Sequence, residues 1–474
     1  MSKQNSEVSD LISFKNSQGV KARGTLLKLS QNYIVFEVYN PYSIAQLSEV
    51  LHEVKITRQS EEIYNGKAVV SNLINTGLLL IISATLVDSW SKKFKPTKLV
   101  DVNAEALTFV NNWQKLNDTL SLSYRISISK IRSFLSEANR WMEQFNYSMS
   151  NIEHNNLSND TIKKVAEPLL TSLSILLNNF ESESRSIKIS HSNANRDDVD
   201  IDFYKKYAQK ELHPLIMQAP FVNRIFYKPL GYAGDYEMVN MMLRDPLEGE
   251  TPYAKLINLF FLQRGPAEAH RNRIDILYEV IKSIAIKAKN EGRVAKIFNF
   301  ACGPAIEIQR FIEIEKISEN CEFTLLDFSN EALNYTKQCL ENSSQKSGNK
   351  VKIKYINKSV HEVLKYSINL DLAETHLKKD YDLVYCAGLF DYLSDKICAK
   401  LLKLFFWQLK TGATMLTTNV HSSNPVKLTM ENLMEWYLIY RDEESFSKLV
   451  DKNLPQKIYT DQTGINIFLE VYKL

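Results

Sequence analysis

Two short turns in the last two hundred residues carry residue types suited to holding a nucleoside. The first is Asn299-Phe300-Ala301-Cys302-Gly303-Pro304-Ala305, which closes an apolar run and opens a helical pattern. Small residues there let the backbone approach a ligand, and a helix start offers free N–H groups. The second is Leu326-Asp327-Phe328-Ser329, about two dozen residues further on. An acidic residue at that distance can accept hydrogen bonds from ribose hydroxyls.

A second set of residues could act on a bound molecule. His421 and Asn424 follow an apolar run, and Trp436, Tyr440 and Arg441 fall in a helix-like segment that could close over a site. An arginine fork donates two parallel hydrogen bonds to a carboxylate, histidine can move a proton, and aromatic rings can hold an apolar body. Tyr232, Asp235 and Tyr236 sit in a glycine-rich loop that suits a lid. Plainer readings stand beside these. His421 could be a structural hydrogen-bonder, Arg441 could pair with Asp442, Glu443 or Glu444, and Gly231 to Asp235 could be a helix-capping turn.

The elements that must position these residues form three patterns. Residues 1–100 read as short strands with turns between them, which suggests a small β-barrel. Residues 101–225 read as helices, with Ile128, Ile131, Leu135 and Ala138 at helical spacing, and likewise Val165, Leu169, Leu170, Leu173 and Leu177. Ser182 to Asp202 is polar and is expected to be a mobile connection. Residues 226–266 form the lid or substrate segment. Residues 267–474 alternate between the two patterns: strands at 294–300, 323–326, 351–356, 381–386, 414–419 and 465–472, with helices between them and a further helix at 430–440. The expectation is an α/β fold, a parallel sheet covered on both faces.

The paired turns resemble class I S-adenosylmethionine-dependent methyltransferases, whose first strand usually ends Asp-Leu-Gly-Cys-Gly-Pro-Gly. Gly303, Pro304 and Asp327 keep that pattern; Asn299, Ala301 and Ala305 depart from it. The resemblance covers roughly the last two hundred residues. It implies a Rossmann-like sheet with an antiparallel last strand, S-adenosyl-L-methionine as cofactor, and cofactor contacts from Asp235, Asn299, Ala301, Cys302, Gly303, Pro304, Asp327, Phe328 and Ser329. Lys358, Ser359 and Val360 fall where that family contacts adenine, and Cys386, Ala387 and Gly388 fall beside its reactive methyl.

A narrower resemblance rests on Pro229-Leu-Gly-Tyr-Ala-Gly-Asp-Tyr-Glu-Met-Val239, Asn419-Val-His-Ser-Ser-Asn-Pro425 and Glu435-Trp-Tyr-Leu-Ile-Tyr-Arg441. These look like a bacterial methyltransferase group named for making 3-hydroxypalmitic acid methyl ester. The implied reaction is O-methylation of a fatty or other apolar carboxylic acid, a small-molecule substrate. His421, Arg441 and Tyr232 would be catalytic, and Tyr236, Asn424, Trp436 and Tyr440 would contact substrate. Residues Lys21 to Val87 also resemble the PilZ barrel. The nucleotide-binding form of that barrel needs an R-x-x-x-R arm and a D-x-S-x-x-G turn. Arg23 has no arginine four residues away, and Ser30-Gln31-Asn32 lacks the acid and the glycine, so a structural or partner-contacting barrel is expected.

Other classes are disfavoured. A net charge of +3 over 474 residues gives no argument for nucleic acid, and Ala387-Gly388-Leu389-Phe390 stands where amino methyltransferases of nucleic acids carry Asn-Pro-Pro-Tyr. A nicotinamide oxidoreductase would want G-x-G-x-x-G, and only Gly303 is present. The histidines and cysteines lack metal-ligand spacing. The apolar run Gly77 to Val87 is too short to cross a bilayer. Met1 to Asp10 lacks the order of a secretion signal, and five cysteines without a C-x-x-C pair read as reduced, so a cytoplasmic location is expected. Oligomerisation is a use open to the barrel and helices. The rival from another class is a non-catalytic regulatory or scaffold protein with a degenerate methyltransferase fold.

Overall fold

The computed structural model describes residues 11–30, 32–39, 45–58, 61–75, 79–88, 90, 102–153, 157–193, 198–367 and 380–474. The chain divides into two compact units. One comprises 1–233, 245–261 and 425–437; the other comprises 234–244, 262–424 and 438–474. Two segments therefore group away from their sequence neighbours: 425–437 with the first unit, and 234–244 with the second.

In the first unit, β1 (Leu11–Lys15), β2 (Lys21–Leu29), β3 (Tyr33–Tyr39), β4 (Val50–Arg58), β5 (Glu61–Asn75) and β6 (Leu79–Leu86) form a closed barrel in the order β1-β2-β3-β6-β5-β4. Every neighbouring pair is antiparallel. Alternate residues fill it: Ile12 and Phe14, Ile34, Phe36 and Val38, and Ile82 and Ala84 are buried. Closure leaves no free sheet edge.

Four helices follow: α1 (Val102–Thr119), α2 (Leu122–Glu153), α3 (Asn159–Asn193) and α4 (Asp198–Ile216). Tyr124, Ile128, Ile131, Leu135, Ala138 and Met142 make the buried stripe of α2 at the expected spacing. The polar stretch expected to be a mobile connection is instead helical up to Asn193 and again from Asp198. Ser184 and Ile187 continue the packed face of Phe180 into it, so the polar composition there marks the solvent side. Glu181, on the same face, accepts the backbone N–H groups of Leu428 and Thr429 at 2.9 and 2.7 Å. Two short helices, α5 (Pro220–Tyr227) and α7 (Pro252–Leu262), complete the unit's main helices; α6 (Tyr236–Leu243), between them in sequence, belongs to the second unit.

The second unit begins its main run with α8 (Gly265–Asn290). Its sheet holds β7 (Ala295–Phe300), β8 (Cys321–Asp327), β9 (Lys352–Asn357), β10 (Tyr381–Cys386), β11 (Leu409–Val420), β12 (Gln456–Thr460) and β13 (Asn466–Tyr472). The order is β12-β13-β11-β10-β7-β8-β9. The five strands β7 to β11 pair in parallel, whereas β13 is antiparallel to both β11 and β12. The sheet is thus mixed and Rossmann-like, with an antiparallel last strand as the resemblance implies. β12 went unread in the sequence because Gln456-Lys-Ile-Tyr-Thr is short and half polar.

The sheet's two faces are read off its side-chain alternation. Phe298, Phe300, Val384 and Cys386 face one layer with Leu401, Leu402 and Phe405 of the helix Asp395–Gln408. Ile297, Leu383 and Tyr385 face the other, with Leu277, Ile281 and Ala285 of α8 and Ile308 and Phe311 of α9 (Ile306–Ile314). β7 lies between β8 and β10, so the chain moves outward through β8 and β9 and then returns to the other side of β7. That reversal opens a crevice at the carboxyl ends of β7 and β10, where open α/β sheets bind ligands.

The helix expected at 430–440 is shorter, Lys427–Met434. Glu435 takes a left-handed backbone (φ 49°) and ends it, and the chain beyond runs extended.

Candidate functional site

Three of the five residues 301–305 adopt positive φ: Ala301 at 56°, Gly303 at 50° and Ala305 at 50°. The turn is pinned from below. Cys302 N–H donates to Leu326 O, Gly303 N–H donates to Asp327 Oδ2 at 3.0 Å, and Thr336 Oγ1 donates to Gly303 O. Asp327 Oδ1 accepts from Ser329 N at 2.9 Å. Burial raises the Asp327 carboxyl's pKa, and the N–H groups of Ser329, Gly303 and Phe328 oppose the rise. A carboxylate offers about four acceptor sites, so these three N–H groups leave capacity for a ribose hydroxyl. A side-chain carbon added at Gly303 would meet nothing within 4 Å, so the turn faces open space. An Asp able to accept a ribose hydroxyl beside a turn with room above it fits the nucleoside end of S-adenosyl-L-methionine.

Beneath the turn lies a buried polar trio. Asn299 Nδ2 donates to Glu307 Oε1 at 3.1 Å and to Tyr385 Oη at 2.8 Å, and Tyr385 donates to Glu307 at 2.6 Å. Burial raises the pKa of both Glu307 and Tyr385. Asn299 therefore holds the floor of the site through its side chain. Neither partner was singled out in the sequence: each looks like an ordinary element residue until β7, β10 and α9 meet.

At the carboxyl end of β10, Cys386 is buried and Gly388 takes φ 89°, its N–H directed to Thr418 Oγ1 at 3.2 Å. Ala387 is half-buried. Arg273 of α8 approaches here, with His270 one turn earlier on the same helix, and the sequence reading missed both. Their signal was present: they fall on the same helical stripe as Ala267, Leu277 and Ile281, where a charged residue is out of place.

Lys358 N–H donates to Asp327 O, which ties β9's end to β8. Ser359 caps the helix Val360–Ser367: its N–H and Oγ reach Glu362, and Glu362 N–H returns to Ser359 Oγ.

Asp235 caps α6 by accepting from Met238 N at 2.8 Å, the capping reading of that loop. Tyr236 reaches Glu331 Oε1 at 2.9 Å and packs on Tyr335. Gly234 passes so close to Tyr392 that a side-chain carbon on it would lie 2.7 Å from the phenol oxygen. Tyr232 and Trp436 belong to the first unit.

His421 follows β11, with Nδ1 2.6 Å from Ser423 Oγ and Nε2 3.2 Å from Glu443. Asn424 is buried, and its N–H donates to His421 O. Tyr440 is half-buried on the extended segment.

Arg441 is a correction. At 2% exposure, it gives its donors to Phe390 O, Leu393 O, Asn419 Oδ1 and Asp395 Oδ1. A fork committed to two carbonyls, an amide and a carboxylate has none left for a substrate carboxylate. The surface pairing with its acidic neighbours is overturned too: the partner is Asp395, not Asp442, Glu443 or Glu444.

A separate groove lined by Lys296, Glu322, Thr324, Lys352, Lys354 and Asp380 lies at the amino ends of the strands, opposite the ligand-binding edge of such sheets. Among the described residues no cluster of His, Cys, Asp and Glu could hold a metal ion, and no helix is long and apolar enough to cross a membrane.

The sequence matches no protein-family model and no curated protein. Among solved structures it is similar to a possible exported protein from Bordetella parapertussis, at 14% identity over 53% of this chain and 86% of that one, with a TM-score of 0.40. It is also similar to magnesium protoporphyrin IX methyltransferase from Synechocystis PCC 6803 with bound SAH, at 9% identity over 45% and 87%, TM-score 0.33. An O-methyltransferase family protein from Burkholderia thailandensis shows 11% identity over 53% and 71%, TM-score 0.30. None of these likenesses assigns an activity to this chain.

Proposed function

We propose that the second unit is an S-adenosylmethionine-dependent methyltransferase acting on a small molecule, an apolar or fatty carboxylic acid by preference. The observation that carries this reading is the Asp327–Gly303 pair: a carboxylate hydrogen-bonded to an open turn at the switch point of the sheet. In the proposed complex, Asp327 accepts the ribose hydroxyls, the 301–305 turn lies along the nucleoside, and Lys358 to Val360 border the base. The cofactor supplies a methyl group already activated by a positively charged sulfur. The protein's task is then to align the acceptor in line and keep water out.

A carboxylate acceptor is ionised at neutral pH and needs orientation rather than a general base. A hydroxyl acceptor would need one, and His421, flanked by Ser423 and Glu443, is our candidate for that role. The five cysteines are free thiols, which suits a reducing compartment.

Calorimetric titration with S-adenosylhomocysteine tests the reading. Micromolar binding that is lost in Asp327→Ala, with the variant's circular dichroism unchanged, supports it. No binding by the intact protein sinks it. The second reading is a non-catalytic regulatory or scaffold protein, and the two alanines in left-handed conformation at 301 and 305 speak for it.

A further inference from the structure

The α8 face that packs on the sheet carries Ala267, Leu277, Tyr278 and Ile281, all buried. His270 and Arg273 stand on the same stripe, 9% and 6% exposed. A buried guanidinium ordinarily spends its five donors on carbonyls and carboxylates, as Arg441 does in the same unit. Arg273 does not: among the described residues its guanidinium makes no hydrogen bond. Burial lowers its pKa, and the longer-range field of Asp391 and Glu307 opposes that only in part. Its nitrogens are not among the buried atoms cut off from both solvent and partner.

The position of the fork is fixed by Gly388. A side-chain carbon on that residue would lie 3.1 Å from Arg273 Nη1 and 3.4 Å from Nη2. Gly388 also holds φ 89°, a conformation that side chains disfavour. The missing side chain lets the fork lie against the backbone at the end of β10, on the ligand edge of the sheet. One turn earlier, His270 Nδ1 lies 3.2 Å from Pro266 O. A carbonyl only accepts, so Nδ1 carries the proton and Nε2 is an acceptor. Burial and the neighbouring Arg273 keep the ring neutral.

The geometry points to Arg273 as the residue that takes a ligand carboxylate at the carboxyl end of β10, with His270 Nε2 accepting from a proton-bearing group beside it. Two sources can present that carboxylate: the amino-acid end of the cofactor, or an acceptor acid. The inference rests on the proposed nucleoside site and adds to it a polar end that the sequence motifs do not contain.

Titrations of the full chain and of Arg273→Gln and Arg273→Lys separate the cases. The probes are S-adenosylhomocysteine, 5′-methylthioadenosine (the same thioether nucleoside without a carboxylate) and, on protein saturated with S-adenosylhomocysteine, palmitate. A charge-assisted fork predicts a loss of at least about tenfold in affinity. If the carboxylate is the cofactor's, Arg273→Gln weakens S-adenosylhomocysteine by that factor and leaves 5′-methylthioadenosine unchanged, which also shows that the variant is folded. If it is the acceptor's, both nucleosides bind as before and palmitate weakens. Arg273→Lys recovers part of the loss in either case. Unchanged affinity for all three probes in Arg273→Gln overturns the inference and leaves the methyltransferase reading standing. Failure of the intact protein to bind either nucleoside overturns both.

Discussion

Arg441 Nη1 donates to Asn419 Oδ1 at 2.6 Å, and this bond joins the end of β11 to the extended segment that follows Glu435. Asn419 in turn donates to Val420 O and Ile439 O. The same guanidinium gathers Phe390 O and Leu393 O, so one side chain fixes the loop after β10, the end of β11 and the segment before β12. A residue whose motif suggested recognition of a carboxylate is thus a structural tie.

The expected outcome of Arg441→Met is a loss of stability, not a selective loss of ligand. The change roughly conserves volume but leaves the Asn419 amide oxygen buried without a donor, and leaves Phe390 O and Leu393 O with only the Leu393 N–H and the Cys398 thiol, at a cost of about 2–4 kcal/mol. The ion pair with Asp395 adds little, because that carboxylate is well exposed. Chemical denaturation measures the cost. A midpoint equal to that of the natural chain, with ligand affinity reduced, would restore Arg441 to substrate recognition.

The two turn alanines separate on burial. Both adopt left-handed backbone, which costs a side chain roughly 1–2 kcal/mol. Ala305 is 1% exposed in the core beneath α9, so removing its methyl forfeits about 0.8 kcal/mol of burial and cancels most of the relief. Ala301 is only partly buried and forfeits less. Ala301→Gly is therefore expected to stabilise by about 0.5–1 kcal/mol, and Ala305→Gly to be neutral within about 0.5 kcal/mol. Urea midpoints of the two variants check the contrast. Equal gains would mean that strain, not burial, decides at both positions.

Gly388→Ala puts a methyl onto the Arg273 fork at a backbone conformation hostile to it. The strain costs roughly 1–2 kcal/mol of stability, and the displaced fork should weaken S-adenosylhomocysteine or acid binding by an amount comparable to Arg273→Gln. Calorimetry and thermal unfolding on the one variant read both effects. Intact affinity with the expected loss of stability would show that Gly388 serves the turn alone.

The division between what the sequence disclosed and what it concealed follows from interaction range. Gly303 and Asp327 were legible because turn chemistry is local: a small-residue turn after one strand, an acid after the next. The strand and helix patterns of the second unit were legible through period-two and period-3.6 apolar spacing, and β12 escaped because five residues with three polar ones give no period. Asn299, Glu307 and Tyr385 come from three elements and acquire meaning only where those elements meet. Arg273 was visible only as an arginine on an apolar helical stripe. The helix read across 430–440 failed because composition cannot report that Glu435 reverses its backbone sign. That reversal is fixed by contacts far away in sequence, within the first unit.

Those contacts make the last prediction. Glu435 is buried among Lys205, Lys206 and Lys228; Lys205 Nζ lies 3.3 Å away, and Gln209 donates to the same carboxylate. Burial alone would raise the pKa of this acid, but the three lysines overcome it and hold the carboxyl down at about 2. An unfolded glutamate titrates near 4.3. A group whose folded pKa is depressed contributes stability above its unfolded value and loses it as pH falls toward the folded value. The contribution is on the order of 3 kcal/mol, present in full near neutrality and lost between about pH 4.5 and pH 2. Lys228 gives a slope of the same sign at the alkaline end. Burial lowers its pKa to about 8, so the native state sheds a proton that the unfolded chain keeps up to about 10.4, and its contribution to stability rises with pH across that window. Glu435→Gln should therefore destabilise the first unit strongly at pH 7, by about 3 kcal/mol or more because three lysines lose their counter-charge. It should also flatten the acid limb of the stability profile between pH 4.5 and 2. Unfolding midpoints across pH 2–10 for the natural chain and for the variant give both slopes. An acid limb of unchanged steepness in Glu435→Gln would assign the acid sensitivity to other carboxylates.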